Sequence, residues 1–335
     1  MARRRLTLRQ RERIGAIQEK RRRQLDRRPE ETPELNQEEQ VREGRVITRH
    51  GRNLAVAGAD GNLHHCLLRQ SIGEPVCGDR VVWQPITTNQ GVVTALLERS
   101  SLLTRPTYGG SEKPLAANID LLVVVLAPEP TPSQYLVDQY LVAAENFNIG
   151  VVITLNKWDL LDHRAAAEFE RNFGHYEQIG YPLVRVSAKT EHGLDPLIAR
   201  LKQQTCILVG QSGVGKSSLV KALLPDIDIQ IGRLSETSGM GRHTTSTTTL
   251  YNMPEGGELI DSPGVRSFRL GRLNTRQLES GFREFRPYIG QCRFSNCSHD
   301  REPDCALIGA LVRGEIHPRR LENFRHMAAN LGEEY

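Results

Sequence analysis

The segment with the clearest chemical role is a glycine-rich run in the second half of the chain. It reads Gly210-Gln211-Ser212-Gly213-Val214-Gly215-Lys216-Ser217-Ser218 and contains the full pattern G-x-x-x-x-G-K-[ST]. The sequence predicts an apolar strand over residues 206–209 directly before it and a helix that begins near Lys216. Glycines let successive backbone N–H groups point at phosphate oxygens, and a helix N-terminus favours an anion. We therefore predict a nucleotide phosphate site, with Lys216 on the β- and γ-phosphates and Ser217 on Mg²⁺.

A second pattern, Asn156-Lys157-Trp158-Asp159, indicates that the nucleotide carries guanine. The Asp159 carboxylate can accept hydrogen bonds from the N1–H and the exocyclic amine of guanine. Adenine has no such pair of donors and would leave a buried carboxylate unpaired. Ser187-Ala188-Lys189 is typical of a second guanine-contacting loop, in which a backbone N–H meets guanine O6. Both patterns end predicted strands, and ligands bind at that edge of an open α/β sheet.

Two segments after the glycine-rich run fit the switches that sense a γ-phosphate. Asp261-Ser262-Pro263-Gly264 matches D-x-x-G, in which the aspartate holds Mg²⁺ through water, and it follows a predicted strand over residues 258–260. Residues 239–249 place glycines before hydroxyls, which suits a mobile first switch with one threonine on Mg²⁺. Thr244 and Thr245 both fit that role, and Thr245 is preferred. Ordinary GTPases begin with the phosphate loop and end with the guanine pattern, so the order found here predicts a circular permutation.

Three cysteines and one histidine lie close together near the C-terminus, in the pattern Cys292-x4-Cys297-x-His299-x5-Cys305. Three thiolates and an imidazole suit one structural Zn²⁺ in tetrahedral coordination. The spacing is not the commonest one for a zinc finger, so free reduced cysteines are the alternative. Four apolar residues after the cluster are predicted to pack a small domain: Leu307, Leu311, Leu321 and Phe324.

Positive charge is concentrated in an N-terminal arm. Residues 1–28 hold eleven Arg and one Lys against three acids, a net charge of +9, whereas the whole chain of 335 residues sums to +4. Such an arm favours a polyanion partner, most often nucleic acid, and a disordered solubilising tail is the alternative. Near the C-terminus, four arginines either contact phosphate or form a solvated face: Arg313, Arg319, Arg320 and Arg325. No apolar run reaches the roughly 20 residues that span a bilayer, so we expect a cytoplasmic protein without a membrane partner.

The elements that position these residues fall into three predicted domains after a basic arm and linker (1–43). Five short strands in residues 44–103 predict a small β-barrel, with an OB-fold as the leading candidate and an SH3-like barrel as the alternative. Residues 104–270 alternate apolar strands with helices, which predicts a doubly wound parallel sheet for a circularly permuted P-loop GTPase domain. Residues 271–335 are predicted to form a helical zinc-binding domain. Helices are expected over residues 133–146, 163–173 and 194–202, among others.

The permuted motif order, with a barrel before it and a Cys-Cys-His-Cys segment after it, resembles the ribosome small-subunit-dependent GTPase A family. The resemblance covers roughly residues 44–330 and is carried by residues 156–159, 210–218, 241–245 and 261–264 and by the four metal ligands. It implies an OB-fold, a circularly permuted GTPase domain and a zinc-binding domain. It also implies contact with the small ribosomal subunit and its rRNA late in maturation, and GTP hydrolysis that the subunit stimulates.

The residue that orients the attacking water differs from the one found in Ras-like enzymes. Val265 follows the D-x-x-G glycine, where Ras-like enzymes place a Gln. In similar proteins the histidine of Gly-Arg-His-Thr-Thr is the proposed substitute, and it corresponds to His243. We predict slow basal hydrolysis by a monomer, with His243 positioned when the subunit binds. An RNA-binding module with a structural nucleotide is the alternative, and a small-molecule kinase is a more remote one.

Overall fold

The computed structural model describes residues 41–69, 72–106, 112–238, 247–262 and 273–331. Three of the predicted site residues, His243, Thr245 and Gly264, lie outside these ranges, as does the basic arm.

The first five strands form a closed barrel. They are β1 (Arg42–His50), β2 (Asn53–Gly58), β3 (Leu63–Leu68), β4 (Arg80–Thr87) and β5 (Gln90–Leu96). Strand β1 pairs with both β2 and β4, β2 pairs with β3, and β4 pairs with β5, all antiparallel, whereas β3 and β5 are parallel. The parallel β3–β5 pair excludes a simple meander and closes the order 1-2-3-5-4-1. The OB-fold prediction is therefore confirmed.

A hairpin that the sequence analysis did not predict separates the barrel from a second sheet. Its strands are β6 (Leu102–Pro106) and β7 (Glu112–Ala117). The sheet that follows has the order β10-β9-β8-β11-β13-β12. Its strands are β8 (Leu121–Leu126), β9 (Gly150–Leu155), β10 (Leu183–Arg185), β11 (Thr205–Val209), β12 (Thr249–Asn252) and β13 (Glu258–Asp261). Five of them are parallel, and β12 is an antiparallel edge beside β13.

Helices cover both faces of this sheet, because successive residues of the buried strands point to opposite sides. Val124 of β8 packs in the same cluster as Val137 and Leu141 of α1, whereas Val123 packs with Leu197 of α4. The helices are α1 (Gln134–Asn146), α2 (His163–Phe173), α3 (His175–Gln178), α4 (Leu194–Leu201), α5 (Lys216–Leu223) and α6 (Ile227–Ser238). The predicted doubly wound architecture is confirmed, and the three predicted helices begin and end within one residue of their expected limits.

The C-terminal segment is helical and packs on α1. It contains α7 (Thr275–Gly281), a 3₁₀ helix (Arg283–Tyr288), α8 (Ala306–Val312) and α9 (Pro318–Ala329). Val142 of α1 is buried in the same cluster as the aromatic residues of this segment. The four apolar residues expected to pack there do so, with Leu311 only partly buried. None of the described helices has the length and apolar character needed to cross a membrane.

The four C-terminal arginines differ from one another more than the sequence indicated. Arg313 and Arg319 are exposed and paired with Glu315 and Glu322, which fits a solvated face. Arg320 fits neither expectation, since its side chain is fully buried and bonded to carboxylates.

Candidate nucleotide and metal sites

The glycine-rich run lies at the carboxyl edge of the parallel sheet, between β11 and α5. Gly215 has φ of +91° and precedes the first residue of α5, and a Cβ there would lie 2.3 Å from Nδ2 of Asn156. Gly210 has φ of +138°, and a Cβ there would lie 2.3 Å from the carbonyl oxygen of Val125. Only glycine fits at these two positions, because a side chain would strain the backbone and collide with its neighbours.

The charged and hydroxyl groups of the run lie at the start of α5. Lys216 Nζ donates to the carbonyl oxygens of Gly210, at 2.8 Å, and Gln211, at 2.6 Å. Ser217 and Ser218 are exposed in the first turn of α5, whereas Val214 is buried beneath the loop. The loop thus gathers an ammonium group, two hydroxyls and a helix N-terminus, all of which favour an anion.

Asn156 connects the glycine-rich run to the second guanine loop. Its Nδ2 donates to the carbonyl oxygen of Val214 at 2.9 Å, and its Oδ1 accepts from the N–H of Ala188 at 3.1 Å. The side chain is 2% exposed, so both bonds are shielded from water. The N–H of Ala188 therefore serves the contact between the two loops.

Lys157 lies over the glycine-rich run in the left-handed region, with φ of +60°. Its Nζ donates to the carbonyl oxygens of Gly213, at 2.7 Å, and Glu129, at 3.0 Å. Glu129 belongs to the loop between β8 and α1, and the sequence analysis did not identify it. Its contribution is a backbone carbonyl, which no pattern of side chains reveals.

Asp159 and Ser187 meet at the ends of the neighbouring strands β9 and β10. Asp159 is exposed, and its Oδ1 accepts a hydrogen bond from the Ser187 hydroxyl. Between them, the Trp158 N–H donates to the carbonyl oxygen of Val186 at 3.1 Å, and the Trp158 ring lies 5.7 Å from the Arg185 guanidinium carbon. A carboxylate held in this way can accept hydrogen bonds from the donors of a base.

Asp261 ends β13, which lies three strand positions from β9 and four from β10, with β8 and β11 between. It pairs in register with Thr249 of β12 and is exposed to solvent. The surrounding protein raises the pKa of its carboxyl by desolvation, and a hydrogen bond from the Ser262 backbone opposes that rise. The position, at the same sheet edge as Ser217, suits an acidic ligand for a cation bound with the phosphates.

The Cys-Cys-His-Cys residues come together before and at the start of α8. Their ligand atoms lie within 4.8 Å of one another. Sγ of Cys292 is 3.8 Å from Sγ of Cys305 and 3.6 Å from Nδ1 of His299, which in turn is 3.4 Å from Sγ of Cys305. Ligands at about 2.3 Å for sulfur and about 2.0 Å for nitrogen around a tetrahedral ion would be roughly 3.5 to 3.8 Å apart. The residues therefore fit Zn²⁺.

Two further residues hold the histidine of this cluster. Nε2 of His299 lies 3.1 Å from Oε1 of Glu279, and Nε of Arg325 donates to the His299 carbonyl oxygen at 2.8 Å. A carboxylate on Nε2 leaves Nδ1 for a metal, as in other carboxylate–histidine–zinc sites. The spacing of the Cys-Cys-His-Cys pattern did not reveal these two residues, because Glu279 is 20 residues before His299 and Arg325 is 26 residues after it.

Comparison with known proteins gives concordant matches. A family model described as RsgA GTPase matches residues 96–271. The small ribosomal subunit biogenesis GTPase RsgA of Azotobacter vinelandii is 46% identical over 343 residues and 99% of both chains, and that of Pseudomonas aeruginosa is 45% identical over 339 residues. The crystal structure of YjeQ from Thermotoga maritima matches 88% of this chain and all of its own with a TM-score of 0.72 and 33% identity. The crystal structure of YloQ, a circularly permuted GTPase, matches 90% of this chain and all of its own, with a TM-score of 0.71 and 26% identity.

Proposed function

We propose, because this chain belongs to the RsgA GTPase family, that it hydrolyses GTP on the maturing small ribosomal subunit and that the subunit stimulates this hydrolysis. As a member of this family, the chain is a GTPase of ribosome biogenesis. The proposal adds the stimulation, a late step in maturation, direct contact with rRNA, action as a monomer and a cytoplasmic location. The observation that supports it is the contact of three loops through Asn156, which joins the loop of the proposed guanine-reading Asp159 to the glycine-rich run.

The proposed GTP ligands are the residues that these loops bring together. They are Asn156, Lys157, Trp158, Asp159, Ser187, Ala188 and residues 210–218. Asp159 would read the guanine N1–H and amine, and the ammonium of Lys216 would offset the negative charge of the β- and γ-phosphates. We assign Mg²⁺ to Ser217 and Asp261. Mg²⁺ supplies charge neutralisation for phosphoryl transfer. The switch roles of Thr245 and Gly264 and the role of His243 in orienting the attacking water stay predictions.

The proposed Zn²⁺ is structural, because all four ligands come from the protein and leave no open position. Its loss would loosen the loops before α8 and with them the apolar core against α1. The barrel, this zinc-bearing segment and the basic arm are the proposed rRNA contacts, mostly through phosphates.

The test is GTP and ATP hydrolysis by the purified protein, with and without purified small ribosomal subunits. We expect GTP-selective turnover that rises steeply with subunits, and a loss of GTP preference in Asp159→Asn. His243→Ala should lose the stimulated turnover and keep its GTP affinity. GTP binding without stimulation would refute the stimulated-enzyme proposal and favour an RNA-binding protein that uses the nucleotide for stability.

A further inference from the structure

Strand β1 belongs to the barrel and to the GTPase sheet at the same time. It pairs with β2 and β4 in the barrel, and Thr48 also pairs with Thr249 of β12, the edge strand of the sheet. The β1–β2 register shifts between Val46 and Thr48, a bulge that re-aims the strand. Val46 is buried in the barrel core, whereas the next residue, Ile47, is buried in the core under the parallel sheet. A displacement of β1 would therefore shift residues in both the barrel and the GTPase sheet.

Two hydrogen bonds, one to the backbone and one to the side chain of Thr248, connect β1 to the residue that follows β13. Thr48 Oγ1 donates to the carbonyl oxygen of Thr248 at 3.0 Å, and Thr248 Oγ1 lies 2.9 Å from Oγ of Ser262. Thr48 is 2% exposed, so its bond has little competition from water. Ser262 directly follows Asp261, and the backbone of Asp261 pairs with Thr249. Two hydrogen bonds thus connect Thr48 of the barrel to Ser262, the residue next to Asp261.

We propose that Thr48 and Thr248 are positioning residues that transmit the placement of the barrel to Asp261 and so set how well the site holds Mg²⁺. The inference rests on the proposed role of Asp261 as a Mg²⁺ residue. Its consequence is a regulatory one: a nucleic acid bound to the barrel would alter Mg²⁺ affinity through β1 without contacting the nucleotide. The hydroxyl of Thr48 matters here because a β-branched side chain without it keeps the packing but loses the bond to the Thr248 carbonyl and the bond that Thr249 Oγ1 donates.

The test measures binding of a fluorescent GTP analogue, and GTP hydrolysis beside it, against Mg²⁺ concentration for Thr48→Val, Thr48→Ser and Thr94→Val. Thr94 is the matched control, since it is a buried barrel threonine whose Oγ1 donates to a carbonyl oxygen of the barrel itself, that of Val82, at 3.2 Å. We expect Thr48→Val to raise the half-saturating Mg²⁺ concentration by about two- to fivefold, because only part of the factor of about five that one hydrogen bond contributes is passed on to the Mg²⁺ site. Thr48→Ser and Thr94→Val should stay close to the parent protein.

Two further variants separate the possible failures. Thr248→Val should raise the Mg²⁺ requirement as Thr48→Val does, and the double variant should be less than additive because both act on one row of bonds. An unchanged Mg²⁺ requirement in folded Thr48→Val and Thr248→Val, with a large change in Asp261→Asn, would overturn this inference alone. An unchanged requirement in Asp261→Asn would instead refute the Mg²⁺ role of Asp261. If Thr48→Val does not fold, Thr248→Val decides the question.

Discussion

Replacing Arg320 by Met should release the C-terminal segment from α1. The Arg320 side chain is fully buried and donates to Oδ1 of Asp138 at 2.5 Å and to the two carboxylate oxygens of Glu284 at 2.6 and 3.0 Å. Its guanidinium also lies 4.3 Å from the centre of the Phe282 ring. Met fills much of the same volume but leaves Asp138, itself fully buried, without its cation.

The expected loss of stability follows from that unpaired carboxylate rather than from a sum of bonds. Breaking one side of a buried ion pair costs about 3 to 5 kcal/mol. Hydrogen exchange of the amides of α9 measures this loss, and their protection should fall by a factor on the order of one hundred or more, because a tenfold change corresponds to about 1.4 kcal/mol. Arg319→Met is the matched control: Arg319 is on the same helix and paired with Glu322, but exposed. Its effect should stay below about 1 kcal/mol.

The stability loss of Arg320→Met should depend on pH, because it involves the pKa of Asp138. Burial raises the pKa of Asp138, although Arg320 and the hydrogen bonds from Tyr176, Asn323 and Arg320 oppose the rise. A carboxyl whose folded pKa exceeds its unfolded pKa favours the folded state when protonated and costs stability as pH rises through the folded value. The deficit of Arg320→Met should therefore be larger at high pH than at low pH, and Asp138→Asn in the same chain should recover much of it. Equal protection in Arg320→Met and Arg319→Met would refute the reasoning.

Two shorter predictions concern the metal and phosphate sites. Glu279→Gln should speed the loss of zinc to a chelator by about 10- to 100-fold, because the carboxylate orients His299; a rate equal to that of the exposed control Glu322→Gln would contradict this. Gly215→Ala should weaken binding of a fluorescent GTP analogue by at least about tenfold, because its Cβ would meet Asn156 and its backbone is left-handed. Gly232→Ala, where the added carbon meets no described atom within 4 Å beyond its chain neighbours and its own helix backbone, should bind normally, and equal binding by both variants would count against the loop geometry.

The sequence was informative wherever neighbouring residues carry the signal. Gly210 to Ser218 form one continuous motif, and the apolar runs that become β8, β9 and β11 are buried on both faces. Contacts between distant segments had no such signal. Thr48 bonds to a residue 200 positions away, and Arg320 bonds to Asp138 across 182 positions. Arg320 was expected on the surface because buried arginines are rare unless paired, and its partners lie on other helices.

The barrel and the C-terminal segment are connected to different parts of the candidate nucleotide site, and we expect this difference to be measurable. The barrel connects through Thr48 to the Asp261 end of the sheet. The C-terminal segment binds Asp138 near the start of α1, and the loop before α1 supplies the Glu129 carbonyl that Lys157 contacts. Arg320→Met should therefore weaken GTP affinity at saturating Mg²⁺ and leave the half-saturating Mg²⁺ concentration unchanged, whereas Thr48→Val should do the reverse. Nucleotide titrations at fixed Mg²⁺ and Mg²⁺ titrations at fixed GTP distinguish the two effects. The same change in both quantities for both variants would mean that the site responds as one rigid unit, with no separate routes from its two neighbours.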